Sequence, residues 1–128
     1  MNRRLLIFIC IFHAAFAHGY DRQRAKTSLA GELTECAAYF IVVSEFVEHR
    51  GQAVVADNVA MTAEVLMDGS AALIGEEATE AGYKIARKEH LALLLNPSNF
   101  AVMLERYQAP CMALFRDPGA RMQYWLER

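Results

Sequence analysis

The sequence predicts an all-α fold, a small bundle of four to five helices linked by one disulfide bond. Two observations lead to this prediction. Apolar residues recur at steps of three and four along most of the chain, which places them on one side of successive helices. Glycine and proline signals separate these segments, and no stretch alternates between apolar and polar residues for long enough to indicate a strand.

The first residues have the order of a secretory signal peptide. Arg3 and Arg4 carry positive charge, residues 5–16 are almost entirely apolar, and residues 15–17 read Ala-Phe-Ala, the small-x-small pattern that a signal peptidase recognises. The apolar run is also shorter than the roughly 20 residues that span a bilayer. We therefore expect a cleaved signal peptide and a mature protein in the periplasm or the extracellular space.

Cleavage is expected after Ala17, with Gly19 as the alternative position. The first choice gives a signal peptide of residues 1–17 and a single helical domain of residues 18–128, a length that suits one small core. More than half of the 128 residues are apolar (55%), which argues against a disordered chain.

Removal of Arg3 and Arg4 makes the protein more acidic. The whole chain has a net charge of −2, and the mature part has eleven basic and fifteen acidic residues, a net charge of −4. This balance argues against nucleic acid or an anionic membrane as the main partner. It says nothing about a basic protein partner.

Signal cleavage also leaves an even number of cysteines. Cys10 lies in the signal peptide and is removed with it, so Cys36 and Cys111 remain. Two cysteines in an oxidising compartment predict one disulfide bond, with two buried free thiols as the alternative. Both residues fall on the apolar sides of their own helices, which suits a structural bond rather than an exposed redox pair.

The first helix is expected to be the centre of the bundle. Thr27 or Ser28 would cap its start, Gly51 would end it, and its middle is apolar on nearly every side. The apolar stripe consists of Leu29, Leu33, Cys36, Phe40, Val43 and Val47.

Two further helices are expected before the first proline. One runs from Gln52 to Met67 and stops at Asp68-Gly69, with a seam of alanines at 53, 56, 60 and 63 that would let a neighbouring helix or a second subunit approach closely. The next, within residues 70–95, is divided by Gly75 and halted at Asn96-Pro97.

The last third of the chain predicts one or two more helices. An apolar stripe begins at Phe100 and continues to Leu114, with Pro110 inside it. Pro110 would therefore either kink a helix or start a new one. Asp117-Pro118 is a typical helix start, a capping carboxylate followed by proline at the first position.

The sequence contains no recognisable catalytic motif. It lacks Gly-x-Ser-x-Gly, a phosphate-binding loop, the Glu-x-x-His pattern of di-iron bundles and a haem attachment motif. We expect a non-enzymatic protein without a cofactor or bound metal. The alternatives weighed are copper chelation by a mature N-terminal His18 and haem held by histidine and methionine.

Several short motifs resemble those of a known group of proteins. They are Glu35-Cys36-Ala37-Ala38-Tyr39, Tyr107-x-x-x-Cys111 and Asp117-Pro118-x-x-Arg121-x-x-Tyr124-Trp125. Together they look like small exported all-helical bacterial proteins of uncharacterised function with one cysteine pair. In layout the chain is also similar to periplasmic immunity proteins of type VI secretion effectors and to acid-stress chaperones of the bacterial periplasm.

This resemblance and the missing catalytic motifs favour a protein-binding function. The first hypothesis is an immunity or inhibitor-like domain that binds another envelope or secreted protein, with Tyr83, Tyr124 and Trp125 as candidate anchors because interface hot spots favour Tyr and Trp. The alternatives are a periplasmic chaperone and a carrier of a small ligand or cofactor between helices.

Overall fold

The described part of the chain consists of five α-helices. The computed structural model describes the backbone of residues 3–128 and the side chains of residues 21–128, and within those limits it contains no strand. The all-α prediction is confirmed. The predicted signal peptide, residues 1–17, lies outside the residues whose side chains are described. The helices are α1 (Arg3–His49), α2 (Ala53–Ile74), α3 (Glu76–Leu93), α4 (Asn99–Arg116) and α5 (Pro118–Leu126).

Helix α1 is the centre of the fold, as its apolar middle predicts. It contacts each of the four other helices. Its buried side chains form the largest part of the core, which Leu66, Met103 and Leu114 complete from α2 and α4. The buried core residues of α1 include Leu29, Leu33, Cys36, Ala37, Tyr39, Phe40 and Val42.

The predicted start of this helix at Thr27 or Ser28 is wrong. Helix α1 continues through both residues, and the Thr27 hydroxyl donates to the carbonyl of Gln23, 3.0 Å away and one turn earlier. A threonine that bonds back to the preceding turn is compatible with a helix interior, so the capping tendency of this residue is not used here.

Helices α1 and α2 form a hairpin whose turn ends at Gly51, which has a positive φ of 78°. The expected alanine seam is partly used, because Ala56 and Ala63 are buried whereas Ala53 is exposed. The Ser44 hydroxyl donates to the carbonyl of Ala56 at 2.8 Å, which joins the two helices near the turn.

The predicted end of α2 at Asp68-Gly69 is also wrong, since the helix continues to Ile74. Gly69 serves here as a packing residue: a Cβ at this position would lie 3.5 Å from Leu33 Cδ1, so α2 comes close to α1. The helix instead ends at Gly75, whose φ of 89° few other residues adopt. The expected break at Gly75 is therefore confirmed, but residues 70–74 are the end of α2 and not the expected short turn before the third helix.

Three buried hydroxyl groups connect α1, α2 and α3 close to Gly75. The Ser70 hydroxyl lies 3.0 Å from the hydroxyls of both Thr34 and Thr79, and it also donates to the carbonyl of Ala30 at 3.2 Å. The Thr34 hydroxyl donates to the same carbonyl. These contacts satisfy hydroxyl groups that would otherwise be costly to bury.

The remaining boundaries agree with the proline signals. Helix α3 ends at Leu93, shortly before Pro97, and Asp117 caps α5 by accepting from the amide of Ala120 at 2.9 Å. Helix α4 continues through Pro110. The sequence left open whether Pro110 kinks a helix or starts a new one, and the second alternative is therefore wrong.

Candidate functional site

The predicted disulfide bond is present and joins the middle of α1 to α4. Cys36 and Cys111 are bonded and buried, and 75 positions separate them in the sequence. Closing a loop of this length stabilises a fold by roughly 4 to 5 kcal/mol in the chain-entropy account. The bond holds the C-terminal third of the chain against the central helix.

A groove of about 710 Å³ lies beside the disulfide bond, between α1, α4 and α5. Pro110 and Leu114 contribute apolar surface to it, and Tyr107 and Tyr124 contribute aromatic rings. The guanidinium of Arg106 lies 5.3 Å from the centre of the Tyr107 ring. Burial, followed by the negative charge of Glu35, raises the pKa of the Tyr107 phenol.

Glu32 attaches α5 to α1 at one end of this groove. Its carboxylate accepts from Arg121 Nε at 2.8 Å, from a second Arg121 nitrogen at 2.5 Å, and from the indole nitrogen of Trp125 at 3.1 Å. Burial acts to raise the pKa of Glu32, but the hydrogen bonds from Arg121 and Trp125 and the arginine charge outweigh it and hold the pKa below its usual value.

The three predicted partner anchors occupy two different places. Tyr124 and Trp125 are adjacent on α5, with ring centres 5.2 Å apart, and the Arg121 guanidinium lies 4.2 Å from the Tyr124 ring centre. Tyr83 is on α3, beside the ion pair of Arg87 with Glu45. The three rings therefore do not form one patch. All three are half-buried, and Trp125 packs against the core.

His90 on α3 is the most buried titratable side chain with an unpaired atom in the described part of the chain. It is 2% exposed, and its Nε2 lies 3.3 Å from the Glu35 carbonyl, so this nitrogen carries the hydrogen. Its ring meets the Tyr107 ring edge-on at 4.7 Å, and Nδ1 has no partner among the described residues. The contacts of His90 connect α3 to α1 and α4.

The described side chains contain no group of three or more His, Cys, Asp or Glu residues that could hold a metal ion. His18, the residue on which the copper alternative depends, lies outside them. Among the same residues, no helix has both the length and the apolar character needed to cross a membrane.

The outward side of α2 is a third feature of the surface. Val54, Met61 and Val65 are 76%, 61% and 56% exposed. Their spacing of seven and four residues places them within about 40° of one another around the helix. We call these three residues the α2 outer face. No described residue covers it.

An acidic flank borders the α2 outer face on one side. It consists of Asp57, Glu64 and Asp68, which are exposed and lie about 60° around the helix from the apolar residues. Helix α2 contains no lysine, arginine or histidine. The helix therefore presents an apolar stripe with a row of carboxylates along one edge.

The alanine seam is the only surface of this helix for which the sequence predicts a contact, so the α2 outer face is not among the expected binding surfaces. A signal for the outer face was available: Val54, Met61 and Val65 lie opposite Ala56 and Ala63 on the same helix. A helix with apolar residues on both sides has either two partners or a place in the core.

No family model, no curated protein and no solved structure matches this chain in the three comparisons made. The geometry and chemistry of these surfaces are therefore the basis for the function proposed below.

Proposed function

We propose that this chain is an exported, non-enzymatic protein-binding domain of the cell envelope, of the immunity or inhibitor type, and that the α2 outer face is its binding surface. The observation that carries the proposal is the exposure of Val54, Met61 and Val65 in one line on a helix whose opposite side is buried. Large apolar side chains that stay exposed along one face of a helix are a feature of protein interfaces.

The disulfide bond supports the exported location. Disulfides persist in oxidising compartments and are rare in the cytosol. Mass spectrometry of the non-reduced protein purified from its natural host tests this part of the proposal. We expect an N-terminus at residue 18 or 20 and a mass lower by two hydrogens. An intact Met1 with two free thiols would contradict it.

Affinity capture with matched variants tests the binding function. The test variant replaces the α2 outer face with serine (Val54→Ser, Met61→Ser, Val65→Ser). The control variant changes three apolar residues outside α2 that are also more than half exposed (Ile85→Ser, Leu95→Ser, Val102→Ser). We expect the native chain and the control variant to recover one stoichiometric envelope protein and the test variant to lose it. A partner that the test variant retains, or the absence of any partner, would contradict the proposal.

The groove beside the disulfide bond favours a second candidate, a carrier of a small apolar ligand. Its volume of about 710 Å³ lies within the range of small-molecule sites, and its lining combines apolar, aromatic and charged groups. Native mass spectrometry of the purified protein checks this candidate. A bound molecule lost in Ala113→Glu, a change at an exposed residue that lines the groove, would support it, and a ligand-free mass of the native chain would contradict it.

A further inference from the structure

We infer that the partner presents a basic amphipathic helix, whose apolar side packs on the α2 outer face and whose lysines or arginines pair with the acidic flank. This inference rests on the proposed function, because it names the partner of the same surface. It is carried by the juxtaposition of Val54, Met61 and Val65 with Asp57, Glu64 and Asp68 along about four turns of one helix.

The shape of the surface favours a helix as the binding element. The exposed apolar residues follow one face of α2, so the surface is a narrow straight stripe rather than a pocket. Helices pack on one another through residues spaced by three and four, and an amphipathic helix offers a matching stripe.

The negative charge of the acidic flank favours a partner with a positively charged surface. The three carboxylates of the acidic flank have no basic residue on α2 to neutralise them. A partner with lysine or arginine beside its apolar stripe would pair with them, and an acidic partner would be repelled. Complementary charge along one edge would also fix the direction in which the partner helix lies.

The same charges argue against the other occupants. A second copy of this chain would bring a helix that has the same three carboxylates and no basic residue. An anionic membrane surface attracts lysine and arginine and repels carboxylates. Self-association of the chain and binding to anionic vesicles would reveal these two occupants.

The experiment measures binding of a defined probe by fluorescence anisotropy. The probe is a labelled synthetic peptide of about 18 residues, or about five helical turns, with leucines at steps of three and four and lysines beside them. Its control has the same composition in scrambled order. We expect the ordered peptide to bind the full chain, and the affinity to fall by at least about tenfold between about 50 mM and 500 mM sodium chloride.

A charge variant of the protein isolates the acidic flank. In Asp57→Asn, Glu64→Gln, Asp68→Asn we expect binding of the peptide to weaken by about tenfold, since three exposed ion pairs, each of modest strength, are lost together. The matched control variant removes three exposed carboxylates from the first two turns of α3 (Glu76→Gln, Glu77→Gln, Glu80→Gln). We expect the control to bind the peptide like the native chain.

The outcomes separate this inference from the proposed function. Equal weakening in both charge variants, or equal binding of the scrambled peptide, would overturn the basic-helix inference. So would a natural partner that needs the α2 outer face but is retained by the acidic-flank variant at every salt concentration. Self-association of the free chain that is lost in Met61→Ser would indicate a second copy, and binding to vesicles of anionic phospholipid would indicate a membrane.

Discussion

Helices α2 and α5 are both held against α1, but by different means. Helix α2 buries residues along its length, with Ala56, Ala63, Leu66 and Ser70 on its inner side. No residue of α5, Pro118–Leu126, is fully buried, and this helix is held by hydrogen bonds to Glu32 and by the disulfide bond one helix earlier.

The difference shows which parts of the fold depend on conditions. Apolar packing along a helix is insensitive to acid and to reduction, whereas an ion pair and a disulfide bond are not. The position of α2, which carries the proposed binding surface, therefore depends on continuous packing. The position of α5 depends mainly on a few specific bonds, whereas α4 combines the disulfide bond with the buried side chains of Met103 and Leu114. Variants of each region separate α2 from this C-terminal part of the fold.

Removal of the disulfide bond gives the largest expected effect. In the double variant Cys36→Ala, Cys111→Ala, the unfolded chain is no longer closed into a loop and gains conformational entropy. The free energy of unfolding should therefore fall by roughly 4 to 5 kcal/mol. Urea unfolding monitored by circular dichroism measures it. Hydrogen exchange should show α4 and α5 losing protection before α2. Loss of protection in α2 first would contradict the comparison.

A truncation on the inner side of α2 comes next. Leu66 is 2% exposed and belongs to the core, so Leu66→Ala should lower the free energy of unfolding by about 2 to 5 kcal/mol. Met61→Ala on the outer side is the matched control and should change it by less than about 0.5 kcal/mol. Comparable losses in both variants would show that the outer face is also used for folding.

Loss of the Glu32 carboxylate should have a smaller effect. Glu32→Gln removes the charge that faces Arg121, and because this pair is only partly buried the expected loss is on the order of 1 kcal/mol at neutral pH. Chemical unfolding of the native chain and of Glu32→Gln measures this difference in stability.

The effect of Glu32 should also depend on pH. Its pKa is lower in the folded protein than in the unfolded chain, so its contribution is complete above the unfolded pKa and is lost as the pH falls through the folded pKa. The stability difference between the native chain and Glu32→Gln should therefore shrink on acidification. A difference that stays constant down to about pH 3 would contradict this account of the ion pair.

The sequence predicts most of this fold, because its main features depend on local patterns. Three local features agree with the structure. They are the apolar spacing of three and four around Leu33, the helix start at Asp117-Pro118 and the disulfide bond predicted for Cys36 and Cys111. Both wrong boundaries made a helix shorter than it is. Gly69 lies inside α2 where this helix comes close to Leu33 of α1, a contact that the local pattern does not show, and Thr27 lies inside α1.

The candidate surface was harder to predict from the sequence. Whether a stripe of valine and methionine faces the core or solvent depends on which side of α2 meets α1, and this is decided by the fit of small residues such as Ala56 and Ala63 between the helices. Aromatic residues such as Trp125 were better candidates by composition alone. In the structure the indole of Trp125 donates to Glu32 and contributes to holding α5.

We propose that the outer side of α2 binds a partner while its inner side holds the fold. Photo-crosslinking in the natural host can separate these two roles, with a benzophenone amino acid in place of Met61 on α2 or of Ile85 on α3, both more than half exposed. We expect a cross-link to one envelope protein from position 61 and none from position 85. Cross-linking from position 85 alone, or from neither position, would contradict it.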